Sequence, residues 1–140
     1  MATLISVTPV TVTSTGYLHA LEAPQGITET VVTVEPEKTP EEHIQHYAGI
    51  YGVDPKLAVA IAEAESGLNP NAKNPASSAS GIFQFIDGTA QSFCVDLYKI
   101  MADMSEKNDP KKQAECAVKM LSDGGLNHWS ESRAGWEWAL

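Results

Sequence analysis

Of the 18 acidic residues in the chain, Glu65 is the one whose neighbours suit it to proton chemistry. It falls in the last turn of a segment, Leu57 to Ser66, that is apolar at helical spacing through Leu57, Ala58, Ile61, Ala62 and Ala64. A carboxyl beside Ile61 and Ala62, facing a cleft with no cation near it in sequence, loses hydration and is expected to keep its proton to higher pH. A protonated carboxyl is what a glycosidic oxygen needs, because an unprotonated alkoxide leaves poorly. Composition alone reads Glu65 as one more surface acid at a helix end. Glu63, two residues earlier, lies on a different helical face and reads as solvent-exposed. Glycosidic hydrolysis usually employs a second carboxylate. Asp87 and Asp96 are the nearest downstream candidates, yet Asp87 reads as a helix cap and Asp96 as a polar helix position.

The other reactive residue types are sparse. Cys94 and Cys116 sit on consecutive predicted helices that an antiparallel pairing could bring together, so a bridge and two free buried thiols are both open readings. Neither has the neighbouring bases of a nucleophile. His43 and His46 are the only close histidine pair, and they lack a third ligand nearby. On a polar helix face they read as solvated, and no metal or organic cofactor is expected.

The elements that must position these residues are marked by their start signals. Lys38-Thr39-Pro40-Glu41-Glu42 places a capping Thr before a Pro and two acids, predicting a helix to about Tyr51. Asp54-Pro55 starts the helix that carries Glu65 and stops near Ser66-Gly67. Residues 67 to 80, GLNPNAKNPASSAS, have loop composition and are long for a connection, which points to function. After the apolar run Gly81 to Ile86, Asp87 is read as the cap of a third helix from about Gly88 towards Asp103. Asp109-Pro110 starts another, reaching about Ser122 before Asp123-Gly124-Gly125. A last short helix would carry Trp136 and Trp138. The fold class is mainly α, with short or no sheet.

Length and charge bound the rest. The 140 residues, 43% hydrophobic and 19% charged, suffice for one compact domain and one active site. A formal charge of -9 with Arg133 as the single arginine leaves no basic patch for phosphates, so nucleic acid is not expected as a partner. Apolar stretches are too short to span a membrane. Residues 1–37 are rich in Thr, Val and Pro without helical period and read as a disordered or extended leader, or as the remnant of an export segment around Leu18 to Ala23. The domain is expected over residues 38–140.

The informative pattern is Glu65-Ser66-Gly67-Leu68-Asn69-Pro70-Asn71-Ala72, a small-residue loop, then Gly81-Ile82-Phe83-Gln84-Phe85 and Thr89-Ala90. This order and spacing resembles the lytic transglycosylase domain of the lysozyme-like superfamily, in a small secreted or phage-like form, over about residues 38 to 130. The resemblance implies a single-domain, lysozyme-like fold acting on peptidoglycan glycan strands as a monomer. It implies that Glu65 protonates the β-1,4 bond between N-acetylmuramic acid and N-acetylglucosamine and then serves as base. The sugar's own 6-hydroxyl attacks the anomeric carbon and leaves a 1,6-anhydromuramyl end. Gln84 corresponds to the family's Gln that lines the sugar site, with an amide able to donate and accept. Ser66 shapes the turn beside Glu65, and Asn74 falls where many relatives carry a Ser. Phe83 and Phe85 read as core or as the border of the cleft. The export that such a substrate requires favours a Cys94–Cys116 bridge, in a secreted, periplasmic or phage-borne protein.

One departure stands out. Most relatives carry an Ala-Tyr-Asn-x-Gly stretch whose Tyr contacts the catalytic Glu, and here Gly124-Gly125-Leu126-Asn127-His128-Trp129-Ser130 stands instead. Tyr98, Trp129 and Trp136 are the candidates to replace it, and Trp129, after a Gly-rich turn, is the preferred sugar-stacking residue. Two rival readings are a lysozyme-type hydrolase using water and an inactive wall-binding module.

Overall fold

The computed structural model describes residues 34–140 together with the backbone of Val10–Thr11 and Val31–Val32. By contacts the chain divides into two units, Met1–Glu37 and Lys38–Leu140. In the first, β1 (Val10–Thr11) pairs antiparallel with β2 (Val31–Val32), Val10 opposite Val32 and Thr11 opposite Val31. The expected leader and export remnant otherwise lie outside the described residues.

The second unit is mainly helical, and its helices begin where side chains satisfy the first free backbone N–H groups. At α1 (Pro40–Tyr51), Thr39 Oγ1 accepts from Glu42 N and the Glu42 carboxylate accepts from Thr39 N, a reciprocal capping box. Asp54 caps α2 (Pro55–Ser66) and Asp109 caps α4 (Pro110–Ser122), each followed by a Pro that fits the first turn. α1 packs on α4 and α2, and Tyr51 Oη donates to Glu115 at 2.9 Å to lock the α1–α4 contact. The core between them holds Ile44, Ile61, Ile82, Phe83, Val118 and Met120, all essentially inaccessible. The histidine pair does not share a solvated face: His43 is buried on α1 and His46 is exposed.

The third helix departs from expectation at both ends. α3 is only Asp87–Thr89 and continues as a π-helical stretch over Ala90–Leu97. It stops short of Asp103 because Lys99 takes φ 57°, which turns the Ile100 and Met101 N–H groups back onto the Cys94 carbonyl. Asp103 instead caps a separate 3-10 turn, Met104–Glu106, accepting from Ser105 N at 2.8 Å. Asp87 is not a cap either; it is the first helical residue, and its carboxylate takes the Lys107 ammonium at 2.7 Å. Cys94 and Cys116 form a disulfide that staples the π-helical stretch to α4, with Cα atoms 5.5 Å apart.

Beyond α4 the chain runs through 3-10 structure at Gly125–Ser132, the short α5 (Arg133–Trp136) and a final 3-10 turn at Glu137–Ala139. This terminal region packs on α2. The fit is tight at Gly135, where an added Cβ would stand 2.8 Å from the Ala64 Cβ, so only glycine allows this approach beside Glu65.

Candidate active site

Glu65 stands in the last turn of α2, half-buried, on the wall of a cleft of about 750 Å³. Burial raises its carboxyl above the ordinary value of 4.5, the Ser132 hydrogen bond opposes that rise, and the negative charge of Glu131 adds to it. The negative end of the α2 dipole acts in the same direction as burial. Glu63 points to solvent.

One wall of the cleft presents Gln84 and Phe85, at the end of a Ser80–Phe85 segment held by its own turns and by side chains of α2 and α4. Gly81 sits at φ 83°, and a Cβ there would fall 2.3 Å from Gln113 Nε2. Gln113, fully buried on α4, uses that closeness: its Oε1 accepts from Phe83 N at 2.7 Å, and its Nε2 donates to Lys107 O at 2.8 Å and Ser80 O at 3.3 Å. Ser66 Oγ donates to Ile82 O at 2.7 Å and ties the end of α2 to this wall, and Ser66 does not line the cleft. Gln84, at φ 51°, donates through Nε2 to Gly81 O at 2.9 Å and Ala72 O at 3.1 Å. Both amide hydrogens are thereby engaged, and the atom Gln84 offers to a ligand is its carbonyl oxygen, an acceptor alone. Asn74 lines the cleft, with its side-chain oxygen accepting from Ala76 N at 2.9 Å.

The aromatic side chains are largely spent on the core. Phe83 is completely buried and does not reach the cleft, whereas Phe85 lines it. Trp129 borders the cleft but is 3% exposed, with its ring against Phe83 and Phe85 and its Nε1 donating to Phe83 O at 3.1 Å. Its faces are taken by the core, so it is no stacking platform. Tyr98 does not line the cleft: its hydroxyl donates to Asp123 at 2.8 Å, and burial with that bond pushes it up to about 12. The apolar group exposed at the cleft is Ile86.

Beside Glu65 stand one residue that had no signal in the sequence, Ser132, and one of the three aromatic candidates, Trp136. Ser132 Oγ donates to Glu65 Oε1, occupying the place expected for an aromatic residue. Trp136 is buried and acts behind Ser132, its Nε1 donating to Ser132 Oγ at 3.1 Å and Trp129 O at 3.0 Å. The second carboxylate on the cleft is Glu131, not Asp87 or Asp96. Asp87 is paired with Lys107 on a smaller adjoining cavity of about 360 Å³, and Asp96 accepts from Gln91 at 2.9 Å. Among the described residues no cluster of His, Cys, Asp or Glu is arranged to hold a metal ion.

Residues 42–131 match the family model described as "Transglycosylase SLT domain". The chain is 41% identical over 70 residues to proteins named "Probable transglycosylase SceD" from Staphylococcus aureus strains Newman, USA300 and COL. That match covers 49% of this chain and 29% of each relative, so the chain spans well under a third of the length of those relatives. No solved structure matches significantly. The pairing of Glu65 with the Gly81–Gln84 wall lies inside the matched stretch, and the chain belongs to the transglycosylase SLT domain family of the lysozyme-like superfamily.

Proposed function

We propose that the chain is a peptidoglycan lytic transglycosylase in which Glu65 is the general acid and then the general base. The observation that carries this reading is a half-buried carboxyl, raised above its ordinary range, opening on a polar cleft within a transglycosylase domain. The names of the relatives support the reaction class. Glu65 gives its proton to the oxygen of the β-1,4 bond as the bond from that oxygen to the anomeric carbon breaks. The 6-hydroxyl of the same muramyl sugar then bonds to that carbon and returns its proton to Glu65. Charge on the sugar in the transition state is met by oxygen acceptors, among them the Gln84 carbonyl oxygen. Because the substrate lies outside the cytoplasm, the protein acts after export. None of the helices among the described residues is long and apolar enough to cross a membrane.

A hydrolytic second reading has one specific support, the presence of Glu131 on the same cleft as a base for water. The two are separated by digesting purified peptidoglycan in water enriched in heavy oxygen and weighing the soluble muropeptides. Transglycosylation gives unlabelled anhydro ends. Labelled reducing ends would overturn it in favour of the hydrolase.

A further inference from the structure

We infer that Ser132 is a positioning residue that reserves Oε1 of Glu65 throughout the reaction, so that Oε2 is the single oxygen that gives and takes the proton. This rests on the reading of Glu65 as the acid and base. The argument is one of hydrogen-bond supply. Ser132 Oγ has three polar neighbours: Glu65 Oε1, the Trp129 carbonyl at 3.1 Å and Trp136 Nε1 at 3.1 Å. The indole N–H can only donate and the carbonyl can only accept. Trp136 Nε1 also stands 3.0 Å from Trp129 O, so that carbonyl already has a donor and makes no exclusive demand on the serine hydrogen. The hydroxyl is left to face Glu65.

The consequence for the carboxyl follows from its two oxygens. An Oε1 that accepts from Ser132 is a poor place for a proton, because a proton there would displace the serine hydrogen. The acidic proton therefore resides on Oε2, and after its transfer Oε2 is again the oxygen with spare lone pairs. One atom performs both half-steps without the carboxyl turning over. The support is itself rigid: Trp136 is buried, and Trp129 is pinned by Phe83 O.

Around Glu65, Glu131 and His128 are the titratable groups that share the cleft. Arg133 on α5 pairs with Glu137 at 3.2 Å, and none of the charged residues of α1 lines the cleft.

The test is Ser132→Ala compared with Ser132→Thr, each assayed for anhydro-muropeptide release across pH. Trp136 Nε1 keeps Trp129 O as a partner in the alanine variant, so no buried donor is orphaned. The alanine variant should lose roughly tenfold in kcat with KM unchanged. Ser132 donation favours the ionised form of Glu65, so its removal should also move the alkaline limb of kcat/KM to higher pH. Threonine, which retains the hydroxyl, should restore both. An alkaline limb that stays in place in the alanine variant, or a threonine variant as impaired as alanine, would overturn the inference. Should alanine fail to fold, Ser132→Cys decides: its weaker donor should move the limb the same way by less, and an unmoved limb refutes the proposal. An active Glu65→Gln enzyme would instead remove the reading of Glu65 on which the inference stands.

Discussion

The two walls of the cleft are held by different means. The Ser80–Phe85 wall is built on tight local turns, a left-handed Gly81 and a Gln84 side chain folded onto its own loop, which the Ser66 hydroxyl and the buried Gln113 amide then secure. The Gly125–Trp136 wall is fixed by side chains reaching across the chain, with Trp129 bonded to Phe83 over 46 positions and Ser132 bonded to Glu65 over 67. A wall made of tight turns demands particular residues at short spacing and leaves a pattern in the sequence. A wall made of long-range hydrogen bonds demands only that a donor arrive, and many residue types and positions could supply one.

The difference can be tested where it should be greatest. Gly81→Ala puts a Cβ against Gln113 in a left-handed conformation, and it should lower stability by about 3 kcal/mol in urea unfolding. An unchanged midpoint would show that the first wall does not depend on its backbone. Ser66→Ala removes one tie and should cost about 1 kcal/mol by the same measurement, with Glu65 still present. On the second wall, Glu131→Gln deletes a negative charge that holds the Glu65 carboxyl up. The sign follows: Glu65 loses its proton more easily, and the alkaline limb of activity should move to lower pH, with anhydro ends still formed. Complete loss of turnover would make Glu131 the second carboxylate of a hydrolase. Tyr98→Phe lies on neither wall and should leave turnover unchanged, which a simple rate comparison checks.

The same contrast explains what was legible in the sequence. Thr39-Pro40, Asp54-Pro55 and Asp109-Pro110 announce their helices because capping is a local reaction of neighbouring residues. Glu65 and Gly81 to Gln84 were legible as a pattern tied to a known family. The end of the third helix was not, because Lys99 adopts φ 57° without being Gly or Asn, the residues that usually mark such a turn. Asp87 has the sequence of a cap and the position of an ion-pair partner, a distinction that depends on Lys107 arriving from 20 residues away. Trp129 follows a Gly-rich turn and so resembled an exposed platform, but its ring is spent on Phe83 and Phe85. Ser132 and Glu131 carry no local signature, and Gln113 is a polar residue in a helix whose buried partners are visible only in three dimensions.

The central claim is that one carboxyl, Glu65, performs the proton transfers. Glu65→Gln keeps the shape and the bond to Ser132 but has no proton to give. Its fold can be checked by thermal unfolding across pH. The raised carboxyl of the wild type favours the folded state most below its ordinary 4.5, and that contribution is lost as pH rises through the folded value. The variant should therefore gain stability relative to the wild type as pH rises towards neutrality. The deciding measurement is the rate of soluble muropeptide release from purified peptidoglycan by both proteins at equal concentration. The account predicts that Glu65→Gln falls by at least about a hundredfold while remaining folded; a folded Glu65→Gln protein that cleaves at the wild-type rate would contradict it.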